Sequence, residues 1–151
     1  MNRVEVGAEE VPLPAWAERS GGFALKALGE LGRDGWDLSV LYCGDSFIRI
    51  LNRRYRGRDE ATDILSFPQG EDFPPAPGER RAAGDIVISL DTLAENAGFF
   101  GVSVDEELRR LLIHGILHLD GMDHHTNEKT EPMLRLQEEI LGNLAGERII
   151  V

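Results

Sequence analysis

The stretch at 103–124, SVDEELRRLLIHGILHLDGMDH, organises the reading of this chain. Ser103 followed three positions later by Glu106 forms a capping box, and Val104, Leu108, Leu111, Leu112 and Ile116 recur at helical spacing. The pattern predicts an amphipathic helix with histidines at its C-terminal end. His114 and His118, four residues apart, stand on one helix face about 6 Å apart along the axis, which suits two ligands of one metal ion. Gly121 then permits the left-handed turn that a Cβ resists, so the chain can return and bring His124 to a third ligand position. A tetrahedral zinc with three protein ligands keeps one position open, as a catalytic site requires. One such histidine alone would read as a surface or capping residue; all three at HxxxHxxGxxH spacing read as a metal site. Three imidazoles favour zinc, one per chain, although nickel and copper bind such ligands too.

The same spacing occurs in metzincin-type proteases, which carry a glutamate general base directly after the first histidine. Here that position is Gly115. The peptidase reading loses its base, while hydrolysis remains open because a bound metal can lower the pKa of water to about 7. Arg110 lies four residues before His114 and shares its ridge. It could hold a phosphate oxygen, or it could be a solvated arginine paired to Glu106 or Glu107. Asp123 could orient a ligating imidazole or bond local backbone in a turn. His125 reads as a bystander.

Outward from this helix, the chain reads as strands and helices in alternation. Residues 2–6 alternate as a short strand, and a helical pattern follows Pro12 and Pro14 to about Leu31, with Gly21 and Gly22 as a candidate break. Residues 36–42 read as a strand, Asp45 as the cap of a helix reaching Tyr55, 63–67 as a strand ended by Pro68, and 84–90 as a buried strand. Asp91 is a candidate cap for the next helix, and a last helix starts at Thr130 with Pro132 in its first turn. Residues 69–82 form a long loop that either flanks a site or is an idle excursion. The expected class is α+β: a single sheet of about four strands with about five helices packed on it, in one domain over 1–151.

Composition narrows the functional classes. The 151 residues carry 27 acidic and 16 basic side chains, a net charge of −11, which argues against diffuse nucleic-acid binding. No apolar run approaches the roughly 18 residues of a membrane span, and the first residues hold no hydrophobic signal region, so a soluble cytoplasmic protein is expected. The single cysteine, Cys43, excludes an intramolecular disulfide and reads as a buried inert thiol. Arg53, Arg54, Arg56 and Arg58 crowd into six positions, a cluster suited to phosphate contact unless it reflects genome composition.

Three segments together resemble one family. His114 to His124 is similar to the HGxLHLxGyDH signature of the YbeY-type family of bacterial rRNA maturation endoribonucleases, with Met122 in its variable position. Asn52, Tyr55, Arg56, Asp59, Thr62, Asp63, Leu65, Ser66, Phe67 and Pro68 resemble its NxxYRxxDxxTDVLSFP segment, with Ile64 for Val, and Gly84 to Ser89 resembles its GDIVIS strand. The resemblance implies one zinc held by His114, His118 and His124 and an arginine important for activity at Arg56; Arg56 and His114 are the expected catalytic residues, and Arg56, with Arg110 from its place on the helix ridge, the expected substrate contacts. It implies an endoribonuclease for single-stranded RNA in 16S rRNA 3′-end maturation, ribosome assembly and quality control, partnered by the small ribosomal subunit and an assembly GTPase. The net acidity then requires that RNA affinity come from a narrow Arg-lined groove or from partner proteins. Two other readings stay open: an assembly factor with a structural metal, and a peptidase-like hydrolase without the usual base.

Overall fold

Alternation along the strands sorts side chains to two covered faces of one sheet in the computed structural model, which describes residues 1–69 and 80–151. The elements are β1 (Arg3–Ala8), α1 (Ala17–Glu30), β2 (Trp36–Cys43), α2 (Asp45–Arg56), β3 (Ile64–Pro68), β4 (Arg81–Ser89), α3 (Leu90–Phe100), α4 (Val104–Leu119) and α5 (Pro132–Asn143). The strand order is β1-β2-β4-β3, with β1, β2 and β4 parallel and β3 antiparallel to β4. This is the expected α+β class, with four strands and five helices among the described residues.

On one face Leu38, Val40, Tyr42, Ile86 and Ile88 meet Phe23 and Leu28 of α1, Leu112 and Ile116 of α4 and Met133 and Ile140 of α5. On the other, Cys43, Leu65 and Val87 pack on Ile48 of α2. Burial pushes the Cys43 thiol up to about 12, which makes it unreactive. No helix among the described residues is long and apolar enough to cross a membrane.

Several local expectations change where tertiary contact outweighs local sequence. The Gly21, Gly22 pair does not break α1; a Cβ at Gly21 would stand 3.1 Å from Val6 Cγ2, so the glycine lets α1 lie close to β1. Gly44, not Asp45, occupies the α2 N-cap, because the Asp45 carboxylate accepts the Ser89 and Thr92 hydroxyls at 2.6 Å each. Ser89 rather than Asp91 caps α3, and Asp91 accepts the Asp45 N–H at 2.9 Å. Ser103 accepts the Glu106 N–H at 3.0 Å as expected, but Glu106 spends its carboxylate on Arg110. Val104 is more than one-third exposed, and α5 starts at Pro132 with Glu131 before it. Strand β4 begins at Arg81, whose N–H bonds the Gly35 carbonyl, so the expected 69–82 loop is shorter at that end, while 70–79 lie outside the described residues.

Candidate metal centre

Helix α4 is the hub of the core, with eleven of its sixteen residues buried. Its last turn closes in a Schellman arrangement: Gly121 N–H bonds the His118 carbonyl, Met122 N–H bonds the Leu117 carbonyl, and Gly121 sits at φ 91°. The turn reverses the chain and returns His124 to the helix end. The ligand-capable nitrogens of His114, His118 and His124 all lie within 4.8 Å of one another.

Each ring is oriented by an oxygen. His114 Nδ1 lies 2.7 Å from Gln137 Oε1, His118 Nδ1 3.0 Å from the Met122 carbonyl and His124 Nδ1 2.8 Å from the Thr126 carbonyl. The Gln137 amide is fixed in this sense because its Nε2 donates to Glu138 at 3.2 Å. These oxygens only accept, so each Nδ1 carries the proton and each Nε2 is left with a lone pair. The Nε2 atoms of His114 and His118 face each other at 3.1 Å. Two lone pairs at that distance repel unless a cation lies between them, and tetrahedral zinc ligands at their usual bond length stand about 3.3 Å apart. The donor set therefore fits a metal ion. Burial, foremost, holds both His114 and His118 below the usual imidazole value and so favours the neutral, ligating form.

Arg56, at the end of α2, is exposed; its Nη2 donates to the Ser66 carbonyl at 2.8 Å, and its guanidinium lies 5.1 Å from the Phe67 ring centroid. Its charge reaches His118, where it adds to burial in disfavouring the imidazolium. Arg110 makes a bidentate pair with Glu138, both contacts at 3.1 Å, and a third bond to Glu106 at 3.2 Å. The ion-pair alternative for Arg110 thus holds in part, with Glu106 but not Glu107. Asp123 accepts the His124 N–H at 2.8 Å in a local turn, and His125 is exposed outside the cluster.

The chain's residues 11–145 match the family described as Endoribonuclease YbeY. The chain belongs to the endoribonuclease YbeY family. Endoribonuclease YbeY of Treponema denticola is 52% identical over 120 residues, covering 79% of this chain and 77% of the relative. Its counterpart in Treponema pallidum is 46% identical over 143 residues, covering 94% and 89%. The solution structure of a Thermotoga maritima protein aligns with a TM-score of 0.61 and 28% identity over 95% of this chain and 90% of that one. The segment matched to the YbeY family contains all three clustered histidines, Arg56 and Arg110.

Gln137 and the two carbonyls that orient the imidazoles escaped the sequence reading. Gln137 left one trace: a polar side chain four residues from both Met133 and Leu141, on the apolar stripe of α5, and it is buried. The carbonyls left none, because every residue carries one.

Proposed function

We propose that the chain is a zinc-dependent endoribonuclease, one domain over 1–151, that cuts single-stranded RNA in the cytoplasm. Its task on this reading is 16S rRNA 3′-end maturation, with roles in ribosome assembly and quality control and with the small ribosomal subunit and an assembly GTPase as partners. The observation that carries it is the convergence of three Nε2 lone pairs beside the exposed Arg56. His114, His118 and His124 hold the ion, and Gln137, Met122 and Thr126 keep the imidazoles in the ligating tautomer. When bound, zinc supplies Lewis acidity toward a phosphoryl oxygen and lowers the pKa of water.

Arg56, braced on the Ser66 carbonyl, keeps further N–H donors for a phosphate oxygen. Arg110 has spent three of its donors on Glu106 and Glu138, so its proposed substrate contact uses the remaining N–H directions. Cleavage of single-stranded RNA by repurified protein, paired with elemental analysis, tests the reading. The expected result is that His118→Ala loses metal and cleavage together, whereas Arg56→Ala keeps its metal and loses cleavage. Full cleavage by both His114→Ala and Arg56→Ala would assign the activity to a contaminant and end the reading.

A further inference from the structure

Beside the histidine cluster runs a groove of about 680 Å³ walled by β3, α3, α4 and α5, sharing His114 and His124 with the cluster. Its charged lining sets Asp63, Glu107 and Glu138 against Arg110 and Lys129, and Arg110 is already paired to Glu106 and Glu138. Glu107 is 5% exposed, and among the described residues no hydrogen bond or ion pair reaches its carboxyl. Its oxygens are not among the sealed polar atoms that lack a partner, so they open onto the groove, where a ligand's donor can reach them. Asp63 accepts from Asn96 Nδ2 at 3.2 Å and keeps lone pairs to spare. At the rim, Phe100 is 62% exposed, propped edge-on by Phe99 at 5.2 Å.

The charges around the cluster are divided. Arg56 is exposed at the end of α2 and is not part of the groove lining, whereas Asp63 and Glu107 line it. With Arg110 already paired to Glu106 and Glu138, the open carboxylates of Asp63 and Glu107 outnumber Lys129 in the groove, so a strand crossing the cluster sets its phosphate at Arg56 and directs a base, not its backbone, into the groove. We propose that the groove is a nucleobase pocket that selects guanine, whose adjacent N1–H and N2–H donors match the acceptors of Asp63 and Glu107 while its ring stacks on Phe100. Lys129, which lines the same groove, is the donor proposed for O6. Uracil offers a single donor, N3–H, flanked by two carbonyl oxygens that face the carboxylates, and is disfavoured. Burial, foremost, pushes the Glu107 carboxyl above its ordinary value, only partly offset by Arg110, and a bound donor would relieve that burden.

The inference rests on the endoribonuclease reading and is tested apart from it. Calorimetric titration of the full chain with GMP, AMP, CMP and UMP, which share a phosphate, reports the base alone. GMP is expected to bind about tenfold more tightly than UMP, the discrimination of one bidentate pair. Glu107→Gln and Asp63→Asn should erase most of that preference, and Phe100→Ala, at the exposed rim, should weaken all four about tenfold. Equal affinities, or a GMP preference that survives both acidic-site variants, overturn the proposal. Metal-dependent RNA cleavage without base discrimination sinks the pocket alone; guanine selection by a protein that cuts no RNA sinks the nuclease reading alone.

Discussion

Gly115 lies so close to Ile86 that a Cβ would stand 2.9 Å from Ile86 Cδ1, with Ile64 Cδ1 at 3.0 Å on its other side. The position that holds a glutamate in the protease pattern here faces the sheet, where a side chain would have to push the ends of Ile86 and Ile64 aside. Gly115→Ala should lower stability by about 1–2 kcal/mol in urea unfolding, because overpacking outweighs the gain in helix propensity. Ile86→Val in the same background should return part of the loss. An unchanged or raised midpoint would mean that the helix does not press on the sheet there.

The His114 to Gln137 bond orients the ring that joins α4 to α5. Gln137→Leu should weaken zinc binding about 10–100-fold in a chelator competition, the usual cost of losing an orienting partner. Gln137→Glu preserves the acceptor and should retain affinity. Equal affinity in Gln137→Leu would show that the contact does not hold the ligand.

Protons compete with the metal for Nε2. Since burial already holds His114 and His118 below 6.5, zinc should stay stoichiometric at neutral pH and be released only as the pH falls beneath about 6.5. Dialysis against buffers of stepped pH, followed by elemental analysis, reads the release. Full retention at pH 4 would contradict an all-histidine site.

Asp105 binds the chain's end to α4: its Oδ1 accepts the Ile149 and Ile150 N–H groups at 2.7 Å each, and its Oδ2 accepts from Arg109 at 2.9 Å. Burial pushes this carboxyl up, but the two N–H groups and Arg109 outweigh it and hold it below its ordinary 3.8. The stabilisation is therefore complete above pH 4 and lost as the pH falls through the lowered value. Asp105→Ala should cost about 3 kcal/mol at neutral pH. The gap to the unsubstituted protein should narrow in acid, as unfolding curves at pH 7 and pH 3 will show.

The clustered histidines were legible because a helix repeats every 3.6 residues: spacing alone puts His114 and His118 on one face, and Gly121 announces the reversal that returns His124. Strand alternation and turn residues likewise announced the four strands and five helices. Caps were less legible. Asp45, Ser89 and Asp91 are all competent caps, and which one served was decided by the packing of α2 on α3.

By itself, then, the sequence determined the α+β class, the helix that carries the histidines and the arginine-rich turn, since these follow from local periodicity and covalent geometry. Only the tertiary structure decided that Gln137 orients His114, that Glu138 binds Arg110, and that Asp63, Asn96 and Glu107 share a groove. Those partners lie 23, 28 and up to 44 residues apart in the chain. No local period encodes such pairs; they meet because covering one sheet face packs α3 and α5 against α4.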